Sequence, residues 1–164
     1  MNTTLRNGLL LLLTLVLIAG FGCAKKQADS LTPGGEEEEL SMTGEERQAA
    51  MNISDGIIYF DYDSFSLSAE AKSTLTQKAS IIKRFPQLRV IIEGHCDERG
   101  TEEYNLALGE RRARAAYEYM LNLGVGVGQM EMVSFGKLHP AVSGSGEVAW
   151  SKNRRDEFKV SKPK

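Results

Sequence analysis

The chain has only two cysteines, Cys23 and Cys96, in 164 residues. That is too few for a disulfide framework to stand in for a hydrophobic core. It has no excess of either charge: 20 Lys+Arg face 22 Asp+Glu, a formal net charge of −2. A general nucleic-acid binder needs a basic patch or stripe, and this balance gives none. The longest apolar run, Leu9 to Ile18, is interrupted by Thr14. It falls short of the roughly 20 residues of a comfortable membrane span. No Gly-rich phosphate loop follows a predicted strand. With 41% hydrophobic and 26% charged residues, the chain is not collagen-like, wholly disordered or polytopic in a membrane. It has room for one domain of about 100–150 residues.

What is present divides into three regions. Arg6 is the only charge before residue 23, and the apolar run follows it. A basic start, about ten apolar residues and a small-residue exit make a secretory signal over residues 1–22. The exit, Ala19-Gly20-Phe21-Gly22-Cys23, is similar to a bacterial lipobox, with Gly20 where Leu is usual. Cys23 is therefore the expected lipidation site and new N-terminus, and several acyl chains would hold it stably in a membrane. Ala24 lacks the Asp that can signal inner-membrane retention, which by itself does not choose between the two membranes. Residues 24–52 carry seven acidic and three basic residues, Pro33-Gly34-Gly35 and few aliphatics. Such a segment buries too little apolar surface to offset its ordering entropy and reads as a disordered tether. It would average roughly 30 Å end to end.

Residues 53–164 read as the folded domain. Ile57 to Tyr62 is β-branched and aromatic, a predicted strand. Ser68 is placed to cap a helix ending near Arg84, before Pro86. Arg89 to Gly94 is a second strand, and a long helix follows from Thr101 to Leu123, with Gly124 suited to a left-handed cap. Met130 to Ser134 and Glu157 to Val160 complete the strands, separated by a Gly- and Ser-rich loop over 136–149. The order βαβαββ predicts an α/β two-layer sandwich, with two helices on one face of a small mixed sheet.

Charged residues gather where the second strand turns into the long helix. With Asn105 set to zero on a helical wheel, Arg112 falls at about −20° and the apolar set Leu106, Ala113, Ala116 and Met120 at about +20° to +100°. Arg112 thus borders the buried stripe, whereas Arg111 and Arg114 point to solvent. An arginine at a core boundary needs an acceptor, and Asp97, at the turn, is the natural candidate. The two either pair directly or stand apart as a receptor for an amino-acid zwitterion. In the second case the carboxylate would take the ligand ammonium, and the guanidinium would grip its carboxylate through two parallel bonds. Asn105 and main-chain groups could complete such a pocket.

The stretch Gly94-His95-Cys96-Asp97-Glu98-Arg99-Gly100-Thr101, then Glu103-Tyr104-Asn105, then Leu108-Gly109-Glu110-Arg111-Arg112-Ala113, resembles the OmpA-like peptidoglycan-binding domain. Tyr59-Phe60-Asp61-Tyr62-Asp63, Val133-Ser134-Phe135-Gly136-Lys137, Pro140-Ala141-Val142 and Ser151-Lys152-Asn153-Arg154-Arg155 extend the likeness over about residues 57–158. The lipobox and tether place it in the lipid-anchored branch. The resemblance implies a module without catalysis, cofactor or metal that binds meso-diaminopimelate in peptidoglycan stem peptides, tethering the outer membrane to the wall. It also implies periplasmic Tol proteins as partners, within the system that serves envelope integrity and cell division. By position, Asp97 and Arg112 would be the charged clamps and Leu108 an apolar contact. Tyr62 and Asp63 would offer main-chain contacts, Asn105 would support the loop, and one of Arg154 and Arg155 would face the site. Three departures stand out: Cys96 replaces the usual Thr or Ala, Phe135 replaces Tyr, and the tail Lys159 to Lys164 replaces a hydrophobic ending.

Rival chemistries fare worse. Cys96 and His95 are neighbours on an extended strand, so their side chains point to opposite faces and do not form a nucleophile–base pair. The triplet His95, Cys96 and Asp97 lacks metal-ligand spacing and a fourth donor. A periplasmic protein-interaction module that does not bind the wall is the remaining alternative.

Overall fold

The computed structural model describes residues 42–162. The export segment, Cys23 and most of the expected tether lie outside the described residues. Helix α1 (Gly44–Ser54) is followed by β1 (Ile58–Tyr59), α2 (Ala69–Arg84), β2 (Arg89–His95), α3 (Glu102–Asn122), β3 (Met130–Gly136), α4 (Glu147–Asn153) and β4 (Arg155–Ser161). A single 3₁₀ turn, Val127–Gln129, leads into β3. The sheet order is β1-β4-β2-β3. Strands β2 and β3 run parallel, and β4 pairs antiparallel with both β1 and β2. Among the described residues no helix is long and apolar enough to cross a membrane.

The predicted elements have their expected starts and stops. Ser68 Oγ accepts from the Ala71 amide at 3.1 Å and Thr101 Oγ1 from the Tyr104 amide at 3.2 Å. Gly124 takes φ +85°, the left-handed cap after α3. Val90 and Ile92 on β2 and Phe158 on β4 project into a core closed by Leu75, Ala79 and Ile82 of α2 and Ala113, Ala116 and Met120 of α3. Alternation sends Glu93, His95, Glu157 and Lys159 to the opposite face.

Two helices were not expected. Residues 44–52, assigned to the tether, belong to α1, and Ala49 and Ile53 join the core. The signal was a capping box: Thr43 and Glu46 each bond the other's backbone amide. The acidic count had obscured it. The Gly- and Ser-rich loop gives way to α4, whose Gly146 N-cap adopts φ +106°. Strand β1 is shorter than predicted: Phe60 donates to the Arg154 carbonyl, and the chain then turns through Asp63 at φ +52°.

Helix α3 crosses β2 at a point with no room for a side chain. A Cβ on Gly94 would lie 2.1 Å from the Gly109 carbonyl oxygen, and one on Gly109 2.3 Å from Ser134 Oγ. This contact brings α3 down onto the end of β2, so that Asp97 and Arg112 come to line one cavity.

Helix α1 is clamped by a buried cation. Lys78 of α2 is 2% exposed, donates to the Ile53 carbonyl and lies 4.4 Å over the Phe158 ring. Burial lowers its ammonium pKa to about 8, with Asp55 opposing the shift. Above pH 8 the folded chain releases this proton while the unfolded chain keeps it up to 10.5, so stability rises across that window. The wild type should gain up to about 3 kcal/mol relative to Lys78→Met between those limits. Urea unfolding of both proteins at pH 7 and pH 10 would measure it; parallel pH dependence would place the charge in solvent.

Candidate functional site

A cavity of about 190 Å³ opens between the β1–α2 turn and the β2–α3 turn. Tyr62, Asp63, Asp97, Asn105, Leu108 and Arg112 all line it, together with Cys96, Arg99 and Tyr104. A larger groove of about 580 Å³ between β1 and α2 contains neither Asp97 nor Arg112.

Asp97 and Arg112 do not pair with each other. Arg112 is fully buried, as the helical wheel implied, while Arg111 and Arg114 are exposed. Its Nε donates to the Ser64 carbonyl at 2.8 Å, Nη1 to the His95 carbonyl at 2.8 Å and Nη2 to the Asp61 carbonyl at 3.3 Å. Nη1 also reaches Cys96 Sγ at 3.5 Å. The guanidinium thus ties together three chain segments around the cavity. The expectation of two parallel bonds to a ligand needs correcting, because most of its N–H groups already serve carbonyls. What remains is one Nη2 hydrogen and a fixed positive charge in the wall.

Asp97 is 6% exposed and collects four hydrogen bonds. Arg99 gives three of them, from its amide at 3.1 Å, Nε at 2.9 Å and Nη2 at 2.6 Å. Arg154 Nη1 supplies the fourth at 3.4 Å. Burial alone would raise this carboxyl's pKa, but the bonds from Arg99 and Arg154 outweigh it and hold it below its usual value. Asp97 is therefore an anion at neutral pH. The Arg99 guanidinium lies 4.1 Å from the Tyr62 ring and 3.9 Å from the Trp150 ring, a cation held between two aromatic faces. It occupies the position that an ammonium bound to Asp97 would need.

The remaining residues shape the walls. Asn105 is buried and its Nδ2 donates to the Arg99 and Thr101 carbonyls at 2.7 and 3.0 Å, fixing the turn. The Tyr104 hydroxyl donates to Asp63. The Cys96 thiol reaches the Asn105 carbonyl at 3.3 Å, and burial pushes its pKa up to about 11. It is a neutral wall group, unsuited to nucleophilic attack.

Of the paired arginines, Arg154 reaches the site through Asp97 and also joins Glu147 and the Phe60 carbonyl, while lining the larger groove rather than the cavity itself. Arg155 turns to the opposite face, toward Glu157 and the His139 carbonyl. Sequence reasoning missed Arg99, Tyr104 and Trp150 in this neighbourhood. Trp150 arrives on α4, a helix that begins inside the expected 136–149 loop and runs past its end. Asp156 was also missed. It is completely buried beneath Arg112 with no hydrogen-bond partner, and burial raises its carboxyl pKa while Arg112 opposes the shift.

The OmpA family model matches residues 59–154, more than half the chain. The peptidoglycan-associated lipoprotein of Pseudomonas aeruginosa is 39% identical over 157 residues, covering 90% of this chain and 93% of that protein. That of Agrobacterium fabrum is 38% identical over 160 residues, covering 94% and 88%. The crystal structure of the peptidoglycan-associated lipoprotein from Burkholderia pseudomallei superposes with a TM-score of 0.65 at 43% identity, covering 67% of this chain and 93% of that one. The C-terminal domain of Helicobacter pylori MotB shares the fold alone, at 20% identity and a TM-score of 0.62. Such domains are not enzymes. The chain belongs to the OmpA family, in the branch of the peptidoglycan-associated lipoproteins.

Proposed function

We propose that the cavity binds the free end of meso-diaminopimelate in peptidoglycan stem peptides, and that lipid on Cys23 anchors the domain to the outer membrane. The observation carrying this reading is that an acid and a base line one cavity without neutralising each other. The free end of diaminopimelate bears an ammonium and a carboxylate on one carbon. The ammonium takes over acceptor positions on Asp97 now used by Arg99, which swings along the aromatic faces of Tyr62 and Trp150. The carboxylate lies toward the remaining Arg112 hydrogen, and Leu108 packs against the aliphatic stem. Lysine lacks that carboxylate and would leave the Arg112 charge unanswered, at a cost of about 1–3 kcal/mol. Affinity per stem need not be high, because confinement beside the wall raises the effective concentration. Residues 1–22 act as the export signal and 23–43 as the lipidated leash. Periplasmic Tol proteins are the further partners, which places the protein in envelope integrity and division.

One fractionation tests both attachments. Wild-type protein should fractionate with outer membranes, and after detergent extraction it should sediment with purified diaminopimelate-type sacculi. Cys23→Ser should leave the membrane fraction while still sedimenting with sacculi. Unchanged membrane association of Cys23→Ser would remove the lipid anchor. Failure of both proteins to sediment with sacculi would favour an interaction module that does not touch the wall.

A further inference from the structure

The sheet face turned away from the helices holds a cluster that wall binding does not use. Glu93 on β2 and Glu157 on β4 are direct cross-strand partners, and His95 lies two residues beyond Glu93 on the same face. One atom from each, a carboxylate oxygen or an imidazole nitrogen, falls within 4.8 Å of the others. We infer that Glu93, His95 and Glu157 form a binding site for a divalent transition-metal ion of the zinc class.

The imidazole is the first argument. His95 is 3% exposed, and neither ring nitrogen has a hydrogen-bond partner. A buried polar group normally has one, and here Glu93 Oε2 stands 3.9 Å from Nε2, beyond hydrogen-bond reach. The ring stacks on Phe135 at 5.5 Å between centroids, which holds its plane.

The two carboxylates are the second. Like charges directly opposite on neighbouring strands repel unless a cation answers them. Glu157 has both oxygens answered already, Oε1 by Arg155 Nε at 2.7 Å and Oε2 by Lys159 Nζ at 2.9 Å. Arg155 is buried and fixes the carboxylate plane from behind. Lys159 is 55% exposed on its side chain and free to leave. Glu93 makes no such pair and faces the His95 ring, with Oε2 3.9 Å from Nε2. An ion in place of the Lys159 ammonium would take Glu157 Oε2, Glu93 and His95, leaving a fourth position for water. Neighbouring ligands of zinc are about 3.3 Å apart, so the glutamates close by roughly an angstrom through side-chain rotation. This cluster differs from the triplet His95, Cys96 and Asp97, because Cys96 and Asp97 face the cavity on the other side.

Zinc titration of the full-length chain in detergent, against a chromophoric chelator and with the imidazole ¹⁵N signals of its two histidines followed by NMR, tests the site. We expect one ion per chain and a perturbed His95 signal. Affinity should weaken about 10-fold or more in His95→Gln and in Glu157→Gln, and tighten in Lys159→Met. His139→Gln and Cys96→Ser should bind as the wild type does. Glu157, less deeply buried than His95, keeps the test decisive should His95→Gln misfold. The proposal is overturned by wild-type affinity in Glu157→Gln, by loss of binding in His139→Gln or Cys96→Ser, or by no binding at about 100 µM zinc.

Discussion

Arg112→Met should destabilise the folded domain by about 3 kcal/mol and lower its Tm by roughly 10 °C or more. Methionine fills most of the volume, so the loss is electrostatic. The buried His95 carbonyl loses its 2.8 Å donor. The Ser64 and Asp61 carbonyls lose theirs as well, but lie near enough to solvent to recruit water. Asp156, fully buried and without a hydrogen-bond partner, loses the cation that offsets its burial. Simple alanine replacement of Arg112 therefore cannot separate binding from folding. A double-mutant cycle can: Asp156→Asn in the Arg112→Met background should recover part of the loss. Thermal melts of the four proteins measure the coupling. Additive effects would show that Asp156 does not answer Arg112.

Asp97→Asn should weaken diaminopimelate-stem binding about 30-fold or more while costing only about 1 kcal/mol of stability. The amide keeps the shape, and with its one oxygen at the Oδ2 position it still accepts from Arg99 Nη2 and Arg154 Nη1, while the Arg99 amide and Nε lose their acceptor and turn to solvent. Arg154 keeps Glu147 and the Phe60 carbonyl, and Arg99 is partly exposed, so no cation is stranded. What disappears is the negative charge that a ligand ammonium would meet in a water-poor cavity. Calorimetric titration with a stem peptide, beside melts of the same samples, separates the two effects. Wild-type affinity in Asp97→Asn would take this carboxylate out of the binding account.

Much of the arrangement was legible from local rules. Ser68, Thr101 and Gly124 marked helix ends correctly, because caps depend on a few neighbouring atoms. The wheel picked Arg112 from three arginines, because burial on a long helix follows its period. What local rules could not supply was anything decided by a distant segment. Trp150 meets Arg99 only after β4 returns beside β2, so Arg99 had no visible role beyond a motif letter. Of the two readings left open for Asp97 and Arg112, direct pairing fails: Arg99, two residues away and within local reach, takes most of the carboxylate, and only Arg154 arrives from the far end of the chain. Glu93, His95 and Glu157 become neighbours only through the register of β2 and β4. Helix α1 was missed although its capping box was readable, because charge counting took precedence over the Thr43–Glu46 spacing.

The account rests on the cavity preferring a doubly charged amino-acid end. Its most direct measurement is titration of the wild-type domain, within the intact chain, with two stem peptides that differ only in meso-diaminopimelate against lysine. Heat and backbone amide shifts at Asp97, Arg99 and Asn105 are the readouts. Binding of the diaminopimelate peptide about 10-fold or more tighter, with those shifts moving, is the predicted result. Equal affinity for the two peptides, or shifts confined to other surfaces, would contradict it.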